Sequence, residues 1–172
     1  MKALLLDSLD TPSRGLRLAA DSAWRPDRRP LFAPEGAAGV TLEPRVAIRV
    51  GRLGKCIAPR HAVRYIDAWA LSMVRADITG PFLLADDAIV LGPWQQLDSL
   101  HASITLDSRP IGATPALADI AAALSTLSDG VTFKTGDILL LPPADTSHTY
   151  TAPYSIHAGS DGTAPLISFN IR

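Results

Sequence analysis

The sequence predicts an α+β protein rich in short strands, with two amphipathic helices lying on a sheet. Three observations point there. Apolar residues alternate over several short runs, most clearly at Ile167, Phe169 and Ile171 with Ser168 and Asn170 between them. Two longer segments instead space apolar residues three and four apart. Fourteen prolines, several in "RPDRRPLFAP" and "LLPPAD", cut the remainder into short elements. No repeat, linker or low-complexity tract interrupts the 172 residues, which suit one domain with a sizeable core.

In chain order, Ala3–Leu6 is a short apolar strand, and a second is expected over Val46–Val50. Side chains alternate faces along a strand, so Val46, Ile48 and Val50 form an apolar face while Glu43, Arg45, Ala47 and Arg49 share the other. The segment "APRHAVRYIDAWALSM" predicts the first helix, with Pro59 in its first turn and Ala62, Ile66, Trp69 and Met73 on one side. A strand follows at Ala102–Leu106, with a turn at Asp107-Ser108. The second helix is expected from "TPALADIAAALSTLSDG". There Thr114 is the N-cap, Pro115 the first helical residue, Leu117, Ile120, Leu124 and Leu127 the buried stripe, and Gly130 the stop. Strands at Ile138–Leu141 and Ile167–Ile171 complete the set, the last closed by a turn at "SDG", Ser160–Gly162.

Composition excludes several classes. Net charge is −1, and no basic stretch is interleaved with aromatics, which argues against a nucleic-acid partner. Charge is uneven, with eleven Lys/Arg against six Asp/Glu in residues 1–60 and five against eleven in the rest, a pattern that two halves packing together would produce. The opening "MKALLLDSLD" meets Asp7 before a signal core could form, and no apolar run approaches the ~20 residues of a membrane span. With Cys56 the only cysteine, no intrachain disulfide can form, so a soluble, cytoplasmic protein is expected.

The chemistry-bearing residues do not by themselves specify a reaction. His61, His101, His148 and His157 lack metal-ligand spacing, and a surface or structural role is expected of each. Cys56 has no histidine near it in sequence and is expected to be a small buried residue. There is no G-x-S-x-G and no phosphate-binding glycine loop. Asp86-Asp87 could meet a cation, although a solvated turn is the expected role. The unusual pair is Glu43 and Arg45, an acid and a base two apart on one face of an otherwise apolar strand.

The order of "RLGKCIA" at Arg52–Ala58, Tyr65, "LGPW" at Leu91–Trp94 and "GDIL" at Gly136–Leu139 resembles the fumarylacetoacetate hydrolase family. The resemblance runs from about Arg29 to Arg172. It leaves residues 1–28 as an N-terminal strand and loop region and 29–172 as the family-like part of one globular domain. It implies a mixed β-sandwich roll, a homodimer, and Mg²⁺- or Mn²⁺-dependent hydrolysis, decarboxylation or isomerisation of oxo-acids such as acylpyruvates.

It also implies a metal site held by E-x-E on a strand and by a further carboxylate downstream. Here those places read Glu43-Pro44-Arg45 and Val74, so Glu43 is the remnant. The family's lysine position falls at Leu83, with Asp86 keeping a following aspartate. Its T-G-T-P loop falls at Leu141-Pro142-Pro143-Ala144, and Glu35 is the acid where its lid would carry a histidine.

Arginine is always charged. Set beside a divalent ion at ~4 Å, it would be repelled by roughly 8 kcal/mol at an effective dielectric near 20. The expectation is therefore a family-like protein with a dismantled metal site, no cofactor, and either no catalysis or the binding of a small anionic oxo-acid at Arg45 and Arg49. The alternative is an active metal-dependent hydrolase or decarboxylase with a relocated site. It would draw on Glu43, Asp77, Asp86 and Asp87, with His148 or His157 as base and Mg²⁺ or Mn²⁺ as cofactor. A third possibility is a partner of an active paralogue.

Overall fold

The longest strand organises the molecule. In the computed structural model, which describes residues 1–37, 39–100, 103–160 and 165–172, that strand spans Val40–Val50 and takes partners along both edges. The strands in chain order are β1 (Ala3–Leu5), β2 (Arg17–Ala19), β3 (Trp24–Pro26), β4 (Val40–Val50), β5 (Ile66–Arg75), β6 (Phe82–Leu83), β7 (Ile89–Leu91), β8 (Ser103–Leu106), β9 (Arg109–Ala113), β10 (Ile138–Leu140), β11 (His148–Tyr150), β12 (Tyr154–Ser160) and β13 (Ile167–Ile171). The α-helices are α1 (Pro59–Ala62) and α2 (Leu117–Ser128).

The main sheet runs β3-β7-β5-β4-β10-β1-β2-β6, with β11 also on β4. A second sheet runs β13-β12-β8-β9. Residues 1–28 are woven into the main sheet, where β1 lies between β10 and β2. Parallel and antiparallel pairings are mixed. The path forces the main sheet to curl. β7 and β6 stand six strand spacings apart, ~29 Å if the sheet were flat. Yet only residues 84–88 join them, a reach of roughly 20 Å. The two ends must therefore approach each other.

Curling gives β4 a core on each face. Val46, Ile48 and Val50 pack with Trp69, Leu71 and Met73 and with Ile120, Leu124 and Leu127 of α2. The other face packs inside the curl, where Ala47, Ala70, Val74, Ile89, Ile138 and Leu140 meet Ala3, Leu5 and Leu83. The alanines matter here, because short side chains leave room for the sheet to bend toward itself.

The expected first helix is corrected. Only Pro59–Ala62 is α-helical. A single 3₁₀ turn covers Val63–Tyr65, and β5 begins at Ile66. β5 is paired by β4 and β7 and covered on both faces, so its apolar residues run almost without a break. A doubly buried strand carries no alternation, and chance spacing then imitates a helix.

α2 starts later than expected. Its N-cap is Ala116, without a side-chain cap, and Pro115 stands before the helix. The Thr114 hydroxyl is buried and finds no partner among the described residues. Of the expected stripe, Ile120, Leu124 and Leu127 are buried, while Leu117 is partly exposed. Asp107 and Ser108 both take positive φ, 49° and 66°, as a two-residue hairpin turn between right-twisted strands requires. The expected turn residues 161–162, His101 and Ala102 lie outside the described residues.

One ion pair ties the N-terminal segment to the sheet. Asp137 is 2% exposed and accepts the Lys2 ammonium, the Lys2 backbone N–H at 2.9 Å and the Lys134 N–H at 2.7 Å. Burial works against its charge, but the Lys2 ammonium and these N–H donors outweigh it and hold the carboxyl below its ordinary pKa. Such a group stabilises the fold above the unfolded-state pKa of about 3.9, and this stability is lost as pH falls through the folded value. Lys2 is partly solvated, which discounts the pair. Asp137→Ala is expected to lower urea stability by about 1–3 kcal/mol at neutral pH. Below pH 4 the gap to the parent should narrow; a gap independent of pH would show that the carboxylate charge is not what matters.

Candidate functional site

Glu43 and Arg45 lie on the inner face of β4, with Val74 and Ser72 directly opposite on β5. Arg45 Nε donates to Glu43 Oε1 at 2.6 Å. Its Nη1 donates to the carbonyls of Leu6 at 2.7 Å and Leu141 at 3.0 Å, where the chain leaves β1 and β10. Nη2 is 3.8 Å from Asp7 Oδ1. A second guanidinium, that of Arg17, comes within 3.6 Å of the same Glu43 oxygen. Arg45 is only 2% exposed. Burial pulls its pKa below the ordinary guanidinium value, while Glu43 and then Asp7 act to hold it up. The group stays charged at any working pH.

A divalent cation asks for several oxygen ligands. At the three positions the resemblance assigns to metal ligands, this chain offers one carboxylate, a guanidinium bonded to it, and a buried valine. That donor set does not fit the ion.

The remaining acids and bases are engaged elsewhere. Asp77 is bonded to Arg75, and that hydrogen bond, opposed by burial, holds its carboxyl below the usual range. Asp86 and Asp87 are exposed in the turn between β6 and β7, Asp87 at φ 57°. His148 Nε2 lies 3.2 Å from Asp145 Oδ2, and His157 Nδ1 lies 3.1 Å from Ser168 Oγ. Among the described residues, no three His, Cys, Asp or Glu side chains gather where they could hold a metal ion. The acids Glu43, Asp77, Asp86 and Asp87 are thus not assembled into one site. Cys56 is exposed rather than buried: it sits at φ 49° in the loop before α1, where its backbone N–H is bonded to Ser128. Leu83 is buried inside the curl and Glu35 is exposed. Leu141–Ala144 runs beside β4, with the Leu141 and Ala144 N–H groups bonded to Val46 and Pro44.

Arg45 is buried, with Nε and Nη1 hydrogen-bonded inside the protein. Arg49 is more open. Two inward positions further along β4, ~13 Å away, it opens into a cavity of about 530 Å³ lined by Trp24, Arg25, Pro26, Leu91, Trp94 and Ile138 among others. Its Nε donates to Asp67 Oδ1 at 2.9 Å, and its guanidinium stands 5.1 Å from the centroid of the Trp94 ring. The alternation of β4 already placed Arg49 on the inner face. The other walls come from four separate segments and carried no joint signal in the sequence, nor did Asp7 or Arg17.

A curled mixed sheet of this topology is the fumarylacetoacetate hydrolase-type fold. Solved structures share it over nearly the whole chain. They include 5-carboxymethyl-2-hydroxymuconate delta-isomerase from Mycobacterium smegmatis (TM-score 0.76, 17% identity, 99% of this chain and 78% of that one). Maleylpyruvate hydrolase from Sphingobium sp. SYK-6 matches with a TM-score of 0.75 at 16% identity, over 99% and 69% of the two chains. Fumarylpyruvate hydrolase from Pseudomonas aeruginosa, in complex with Mn²⁺ and pyruvate, matches with a TM-score of 0.73 at 16% identity, over 99% and 88%. No protein-family model and no curated protein matches the sequence. Among the described residues, no helix is long and apolar enough to cross a membrane.

Proposed function

We propose that this chain keeps the fumarylacetoacetate hydrolase-type fold without its metal chemistry, and serves as a non-catalytic protein that binds a small anionic molecule at the inner face of the curled sheet. The observation that carries this reading is the 2.6 Å contact between Arg45 and Glu43, reinforced by two backbone carbonyls. A fixed organic cation there neutralises the surviving carboxylate and repels a divalent ion. Arg49, which lines the cavity and whose outer nitrogens find no acceptor among the described residues, is the residue left to meet an anion. The protein would work as a homodimer, as the resemblance implies, in the cytoplasm, as its single cysteine suggests.

The Mn²⁺ and pyruvate held by the Pseudomonas hydrolase favour a second reading, a metal-dependent enzyme acting on oxo-acids. Elemental analysis after dialysis against Mn²⁺ and Mg²⁺, paired with assays of acylpyruvate hydrolysis and oxaloacetate decarboxylation, separates the two. The first reading expects metal far below one ion per chain and no turnover. A stoichiometric ion together with turnover that Glu43→Ala or Asp86→Ala abolishes would establish the second.

A further inference from the structure

The cavity beside Arg49 has a composition of its own. Its walls include two indole rings, Trp24 and Trp94, with Pro26, Leu91, Pro93 and Ile138 around them. Against this apolar surface stands one guanidinium group, that of Arg49. Arg49 spends one donor on Asp67, which leaves its two outer nitrogens without acceptors among the described residues. Arg25 borders the cavity from β3, but it pairs with Val90 on the face opposite Trp24 and Pro26 and donates through Nη2 to the Pro30 carbonyl at 2.8 Å.

Asp27 is the acid in the lining, and it lies 3.7 Å from Arg28. Asp67 takes only the Nε of Arg49, so the outer edge of that guanidinium stays open to an anion. At about 530 Å³ the cavity falls within the span of small-molecule pockets, which are largely apolar with a few polar groups that set orientation. Flat indole faces suit flat rings. The outer edge of a guanidinium suits a carboxylate taken in two parallel bonds.

We propose that the cavity bounded by Trp24, Arg49 and Trp94 binds a planar aromatic carboxylate, its ring between the indoles and its carboxylate on the Arg49 guanidinium. This rests on the binding part of the reading above and is independent of whether the metal site is lost. It departs from a small oxo-acid in one respect: most of the lining asks for a ring, and a three-carbon acid would leave it empty.

The test is calorimetric titration of the whole protein with 2-naphthoate, its uncharged amide, and pyruvate. Saturable 1:1 binding of 2-naphthoate is expected, with the amide at least about tenfold weaker because the charge-assisted pair is gone. Arg49→Met should weaken 2-naphthoate by about tenfold while leaving the amide unchanged, and Arg49→Lys should recover part of the loss. Trp94→Leu should weaken both ligands, by roughly fivefold. Circular dichroism confirms that each variant is folded; Arg49 and Trp94 are both partly exposed, so neither change empties the core. Equal affinity for acid and amide, no binding of either, or binding of pyruvate in preference to 2-naphthoate would overturn the proposal. The last outcome would leave the oxo-acid reading standing.

Discussion

Arg45→Ala is expected to cost about 3–5 kcal/mol of stability, the usual penalty for removing one partner of a buried ion pair. The reason lies in what the guanidinium leaves behind. Glu43 would keep its charge in a largely buried place with only Arg17, 3.6 Å away, to balance it. The carbonyls of Leu6 and Leu141 would lose their donor. Those carbonyls lie 39 and 96 residues from Arg45 in sequence, so the side chain also staples the exits of β1 and β10 to β4.

Urea denaturation of parent and variant measures the loss. Pairing Arg45→Met with Glu43→Gln should recover most of it, because replacing a buried ion pair entirely is often close to neutral. A loss under ~1 kcal/mol for Arg45→Ala would mean that the group is solvated and contributes little. Arg45 would then be a poor explanation for a missing metal.

The second large effect runs in the opposite direction, toward regaining an ion. Val74 sits directly opposite Glu43 in the register of β4 and β5, and position 45 lies on the same face of β4. Arg45→Glu with Val74→Asp would place three carboxylates around one point, a donor set that a hard cation favours. Without metal, three acids gathered inside the curl repel one another and lose hydration, so the double variant should be markedly destabilised. Millimolar Mn²⁺ should then raise its melting temperature by about 5–10 °C, the shift expected when free ion exceeds Kd by roughly a hundredfold. The parent should not respond. If the variant folds and ignores Mn²⁺, positions 43, 45 and 74 do not converge on a metal site, and the resemblance assigns them wrongly. If it folds only with Mn²⁺, circular dichroism at increasing metal reports the same answer.

The two halves of the site differed in how far sequence alone could reach. That Glu43 and Arg45 would stand side by side follows from strand alternation, which needs no partner strand. The same rule put Arg49 on their face. The stripe of α2, the hairpin at Asp107-Ser108 and the strand at Ile167–Ile171 were legible for a similar reason: each buries one side and wets the other, so its period survives in the sequence.

What the tertiary structure decided is everything that depends on burying both faces at once. β5 is covered on both sides and carries no period, so Ala62, Ile66, Trp69 and Met73 could be mistaken for one side of a helix. Closure of the sheet turned the end of an apolar strand into a sealed interior, changing the Glu43–Arg45 pair from a solvated contact into a buried one. Closure also brought Trp24, Arg25, Arg49 and Trp94 around one cavity. Local periodicity records how a segment meets water. It holds no information on which distant segment will take the water's place, and in this protein that replacement set both the arginine's partners and the pocket's walls.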